Sequence, residues 1–112
     1  MTTLKNSVQL IGRLGVDPKT FEFDGGKMKT VFSLATSDYY NNKEGERVQE
    51  TQWHNIVAWG RMAKVAADYL AKGKEIALSG KLTNRTYEDK DGIKRYVTEI
   101  VANEIVMLEK KN

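Results

Sequence analysis

Two tryptophans, Trp53 and Trp59, lie six positions apart in the stretch ETQWHNIVAWGR. Tyr39 and Tyr40 follow one another in SDYYNNKEGERVQE, and Tyr87 stands just ahead of EDKDGI. Cations are interleaved with these rings at Arg13, Arg61, Lys72, Lys74 and Arg85. A ring offers its π-face to any flat group, and a neighbouring cation holds an anion. The set therefore suits a flat, negatively charged ligand.

Covalent chemistry has no comparable set. There is no cysteine, no Ser–His–acid arrangement and no glycine-rich phosphate cradle. Glu44, Glu46 and Glu50 sit on or beside a polar loop with Gly45 and Arg47. Two-metal chemistry needs carboxylates converging on ions about 4 Å apart, and this pattern reads instead as a solvated charge run. Asp89-Lys90-Asp91-Gly92 lacks the third acidic position and terminal glutamate of a calcium loop and reads as a β-turn. His54 is the sole histidine, with no second ligand at a fixed spacing, so a satisfied, partly buried ring is expected. No enzymatic activity, cofactor or metal is expected.

Whether the rings form a core or a surface depends on the elements that carry them. Residues two apart on a strand share a face. On a strand from about Val48 to Trp59, Trp53, Asn55, Val57 and Trp59 point one way, and Gln52, His54, Ile56 and Ala58 the other. At about 3.3 Å per residue the indoles stand roughly 20 Å apart, too far to pack on each other. Separate platforms suit separated bases of an extended chain. The competing reading buries one ring at a barrel end and sets the other over a helix.

The other elements follow from period and punctuation. Val8–Leu14 alternates as a strand, and a second runs from about Lys27 to Ser37, with Met28, Thr30, Phe32 and Leu34 on one face. Between them Asp17-Pro18 and Asp24-Gly25-Gly26 punctuate a short extended piece, Phe21–Phe23. SDYYNNKEGERVQE reads as a long solvated hairpin loop opened by the two tyrosines. Met62, Val65, Ala66, Tyr69 and Leu70 form the stripe of an amphipathic helix, with Lys72 in its last turn and Gly73 as its stop. Further strands run from about Lys74 to Tyr87, with Gly80 a bulge or bend, and from Arg95 to Leu108.

The order β-β-β-α-β-β predicts an all-β fold with one short helix. The best match is the OB-fold, a five-stranded Greek-key barrel. Its binding face is built from the second and third strands and the loops joining strands one to two and four to five. That is where Trp53, Trp59, Tyr40 and Tyr87 fall.

With 112 residues and no linker or repeat, a single domain over 1–112 is expected, burying roughly two-thirds of its unfolded surface. The net charge of +3 (pI about 9.1) gives only a mild bias toward anionic partners. No segment resembles a membrane span or secretory signal, and the lack of cysteine fits a cytoplasmic address.

The chain resembles the DNA-binding domain of bacterial single-stranded DNA-binding proteins from about Asn6 to Leu108. The resemblance is carried by VQLIGRLGVDP, FSLATS, TQWHNIVAWGRMAKVAADYLAKGKEIALSGKL and RTYEDKDGIKRYVTEIVANEIVML, in that order and spacing. It implies sequence-tolerant binding and protection of single-stranded DNA during replication, recombination and repair, in a nucleoid-associated bacterial homotetramer. It implies stacking at Tyr40, Trp53, Trp59 and Tyr87, phosphate contacts at Arg61, Lys72 and Arg85, and an intersubunit role for His54. Ser7 and Thr83 depart from the family, which commonly has lysine and arginine there.

The family normally continues into a flexible linker and an acidic tip that recruits replication and repair proteins, whereas this sequence ends MLEKKN. A truncated chain and a naturally short form both fit. The alternative function is an accessory or primosomal OB-fold protein that chiefly docks other proteins.

Overall fold

In a computed structural model the described residues are 4–108, so the terminal EKKN lies outside them. The elements are β1 (Val8–Leu14), β2 (Lys19–Phe23), β3 (Lys27–Asn41), β4 (Arg47–Trp59), α1 (Gly60–Tyr69), β5 (Glu75–Glu88) and β6 (Lys94–Met107). The sheet runs β1-β5-β6-β4-β3-β2, and β1 also pairs with β3. That pairing closes five strands into a barrel and leaves β2 as a sixth, hung on the outside of β3. The expected OB-fold barrel and its helix between the third and fourth barrel strands are present. The extended piece expected at Phe21–Phe23 is a full strand, because it pairs with β3 from Lys19–Val31 to Phe23–Lys27.

Alternation explains the core. Leu14, Phe32, Leu34, Ile56, Ile76, Leu78 and Ile100 turn inward from five strands, and Ala66 and Leu70 of the helix segment join them. Thr30 is the polar residue buried among them. Its hydroxyl donates to the Ala63 carbonyl at 2.8 Å and lies 3.0 Å from the Thr20 hydroxyl. The buried oxygen thus keeps the hydrogen bonding it had in water, which makes its burial tolerable. At Gly80 the β5–β6 register shifts, as the sequence anticipates. A Cβ there would overlap the Val101 carbonyl, so only glycine lets the strands approach this closely.

Three expectations need correction. The long loop is much shorter, since β3 runs on to Asn41 and β4 begins at Arg47. Both tyrosines are therefore strand residues. The tip is tied by the Asn42 side chain, whose Oδ1 accepts from the Glu44 and Glu46 amides at 3.0 and 2.9 Å. The helix stops at Tyr69, because Leu70 is already extended (φ −99°, ψ 150°) while its amide still donates to Ala66. Lys72 and Gly73 belong instead to a turn in which the Lys74 amide donates to Ala71. Tyr69, expected in the buried stripe, is 58% exposed, because a helix one turn shorter has its apolar face filled by Ala63, Ala66 and Leu70.

The β5–β6 turn is an Asx turn. Asp89 accepts from the Ile93 and Asp91 amides and from Arg95. The Ile93 amide first, then Arg95, holds its carboxyl below the ordinary carboxylate value.

Candidate nucleic-acid interface

The ladder between β3 and β4 is unbroken from Lys29–Trp59 to Asn41–Arg47. With no bulge, strand parity fixes which side chains share a face. Even-numbered positions on both strands include the core residues Thr30, Phe32, Leu34 and Ile56. Odd-numbered ones therefore point away from that core, although Val57 among them is itself buried. Trp53 is 63% and Trp59 45% exposed. Both tryptophans are thus surface rings, on a strand whose opposite parity enters the core at Ile56 and Ala58.

Trp53 sits in a cross-strand row with Ala35 of β3 and Arg13 of β1. Its ring lies over Gly15, where a Cβ would overlap the indole, so the missing side chain makes the seat. Arg13 Nη1 donates to the Gly73 carbonyl at 2.9 Å. The Lys72 amide donates to Asp17 Oδ1 at 2.8 Å. These bonds hold the α1–β5 turn, with Lys72, against the end of β1. Arg13, Lys72 and Trp53 thus share one end of the barrel. Lys74 is half-buried just before β5, its carbonyl accepting from the Leu14 amide, and belongs to that turn rather than to the ring-bearing face.

Trp59 ends β4, and Arg61 is exposed in the first turn of α1 two residues on. The Trp59 ring stacks on Phe23 with centroids 6.2 Å apart and planes at 30°. Lys29 Nζ lies 5.5 Å from its centroid. Between the tryptophans a groove of about 610 Å³ is lined by Phe21, Lys29, Asn55, Arg85 and Glu99, among others. It brings the β5–β6 hairpin onto the same outer face.

Arg85 and Tyr87 are two apart on β5, with the guanidinium 5.7 Å from the tyrosine centroid. Arg85 also binds Glu99 through two hydrogen bonds of 3.1 Å. Those bonds, and the carboxylate's charge, raise its pKa still further above the usual arginine value. A phosphate arriving here shares the guanidinium with Glu99.

The register separates the two adjacent tyrosines. Tyr39 pairs with Gln49 on the tryptophans' face, and Arg47 stands 4.1 Å over its ring. Tyr40 pairs with Val48 on the opposite face. Tyr39→Ala is therefore expected to weaken binding of a single-stranded oligonucleotide about tenfold, with Tyr40→Ala changing it less than threefold. Anisotropy titrations of the two variants check this, and the reverse order would show that the hairpin arm presents its other face. His54 also lies on the inward parity, half-buried, with Nε2 3.0 Å from Thr36 Oγ1. Among the described residues no group of His, Cys, Asp or Glu is placed to hold a metal ion.

Sequence reasoning missed Phe21, Phe23, Lys29 and Glu99, and it gave the stacking role to Tyr40 rather than Tyr39. The alternating KTFEF could have flagged the phenylalanines as a strand face. Nothing local could pair Arg85 with Glu99, since that depends on the β5–β6 register.

The model of the single-strand binding protein family matches residues 5–108. A single-stranded DNA-binding protein of Neisseria meningitidis is 45% identical over 107 residues, which cover 96% of this chain and 62% of that protein. Single-stranded DNA-binding protein 1 of Xylella fastidiosa is 41% identical, covering 95% and 79%. The chain thus spans a little over three-fifths of the Neisseria relative's length. Among solved structures, a Plasmodium falciparum SSB in complex with ssDNA superposes with a TM-score of 0.85 at 28% identity, covering 97% of this chain and 98% of that one. A deletion variant of the single-stranded DNA binding protein from Thermus aquaticus gives 0.79 at 32%, covering 93% and 50%.

Proposed function

Because this chain belongs to the single-strand binding protein family, we propose that it binds single-stranded DNA with little sequence preference. It thereby keeps the strand from re-pairing and from nucleases during replication, recombination and repair. The observation that carries this reading is the single outer face that joins Trp53 and Trp59 of β4 to Arg85 and Tyr87 of β5. Large rings left exposed beside cations have no use in a core. Each base has a π-face and each nucleotide a phosphate, so such a face holds a strand of any sequence.

In this mechanism Arg13, Arg61, Lys72 and Arg85 draw in the phosphates, releasing counterions. The bases then settle on the rings. Lys74 contributes charge from the edge, and Tyr40 is the weakest of the stacking candidates. The barrel acts as one binding domain, without catalysis, in the bacterial cytoplasm at the nucleoid. Among the described residues no helix is long and apolar enough to cross a membrane.

Self-assembly into a homotetramer fits a second surface. Ile11, Ala77 and Val106 form a cross-strand apolar row on the outer face of β1, β5 and β6, rimmed by Gln9, Ser79 and Glu104. An apolar centre with a polar rim is the make-up of a protein interface, and His54 would serve at a junction between copies. Replication and repair enzymes would be further partners.

Tryptophan fluorescence during titration with oligo-dT, at low and high salt, tests the reading. Strong quenching is expected with the single strand, weaker with rising salt, and little with a duplex of equal length. Equal response to duplex and single strand, or none to either, would defeat it. An RNA oligomer of matched sequence binding more tightly would shift the ligand class.

A further inference from the structure

Every residue of β2 is exposed, yet two of its five are phenylalanines. An exposed strand has no core in which to use them. Phe21 and Phe23 are each nearly half exposed. Phe21 shares a cross-strand row with Lys29 and Trp59, and Phe23 pairs with Lys27 in the next row. Lys19 falls opposite Val31 on the same face. Parity turns Glu22, the only acid within β2, to the other side, and Asp24 lies beyond in the turn. The outer face of this hairpin therefore carries two phenyl rings and three ammonium groups with no carboxylate of its own strands among them. It is continuous with Trp59 through the Phe23 stack.

We propose that the bound single strand does not end at Trp59 but continues across the β2–β3 hairpin. One or two further bases rest on Phe21 and Phe23, and their phosphates meet Lys27 and Lys29. The proposal rests on the single-stranded DNA reading above. Its chemistry is that of the main face: a ring accepts a base edge-on or stacked, and an ammonium neutralises the phosphate beside it. The simpler role for Phe23, a prop that stiffens the Trp59 ring, leaves Phe21 and the three lysines unexplained.

The test is affinity against length, using oligo-dT from about 4 to about 16 nucleotides, the range one such barrel covers. The wild type is compared with Phe21→Ala/Phe23→Ala and with Phe21→Leu/Phe23→Leu, which keeps apolar bulk but removes the π-face. Both variants are expected to lose affinity by about tenfold on the longer oligomers and by much less on the shortest. Lys27→Gln is expected to lower the slope of log K against log salt by about one, again on longer oligomers. A loss equal at every length would make Phe23 only a prop for Trp59 and overturn the proposal, as would wild-type affinity in both double variants. If the wild type itself fails to bind any oligomer, the underlying function is wrong, an outcome separate from either of these. The leucine pair guards against misfolding, since a melting temperature matching the wild type keeps its result interpretable.

Discussion

Replacing Trp53 and Trp59 together by alanine is expected to lower affinity for oligo-dT by about 2–6 kcal/mol while the protein melts close to its wild-type temperature. Each ring contributes about 1–3 kcal/mol of stacking per base, and platforms this far apart act nearly additively. The fold survives because neither ring is core. Trp53 rests over Gly15 at the surface, and Trp59, 45% exposed, stacks on the exposed Phe23 beside Lys29. Fluorescence anisotropy with labelled oligo-dT gives the affinity, and a thermal melt gives the stability. A collapse of the melting temperature in either single variant would return that ring to a structural role.

Ile56→Ala, three residues from Trp53 on the same strand, should do the opposite. Ile56 is 1% exposed and lies between Phe32 of β3 and Ile100 of β6 in the cross-strand register. Truncation removes its buried methyl groups and leaves a cavity that a barrel closed on all sides cannot collapse. A loss of about 2–5 kcal/mol is expected, lowering the melting temperature by about 10 °C or more. At a temperature where the variant is still folded, oligo-dT affinity should remain within a few-fold of wild type. A melting temperature within a degree or two of the wild type would mean that the inward face of β4 is wrongly assigned.

These paired outcomes were legible in advance because β4 advertises its own alternation. Trp53, Asn55 and Trp59 against His54, Ile56 and Ala58 is a local pattern that period 2 sorts, with Val57, buried on the tryptophans' side, as the exception. Gly80 was legible for a similar reason, since a glycine in an apolar strand usually marks a bend or bulge. What could not be read depends on partners distant in sequence. Tyr39 and Tyr40 look interchangeable until the unbroken β3–β4 ladder assigns one to each face. KTFEF alternates, but only its pairing with β3 makes it a full strand and sets its rings beside Trp59. Gly73 looked like a helix stop but serves a turn, its amide donating to the Leu14 carbonyl across the barrel. Arg85 was found as a cation, but its Glu99 partner was not.

The barrel's closure has a consequence for how it breathes. The β3–β4 and β5–β6 hairpins carry long continuous ladders, but the ring is completed at two short seams. β1 meets β3 at Arg13–Ala35 and Leu14–Leu34, followed by the Gly15 amide on the Ser33 carbonyl. β4 meets β6 at Ile56–Ile100 and Val57–Val101. Fluctuations that rupture the fewest hydrogen bonds run along such seams, so the Gly15 amide should exchange with solvent deuterium sooner than amides in the middle of the β3–β4 hairpin. Faster exchange within that hairpin would contradict this. A molecule unzipped at the β1–β3 seam would carry Arg13 away from Trp53 yet leave both indoles on an intact hairpin. Its grip on the base at Trp53 would then outlast its grip on the phosphate that Arg13 meets.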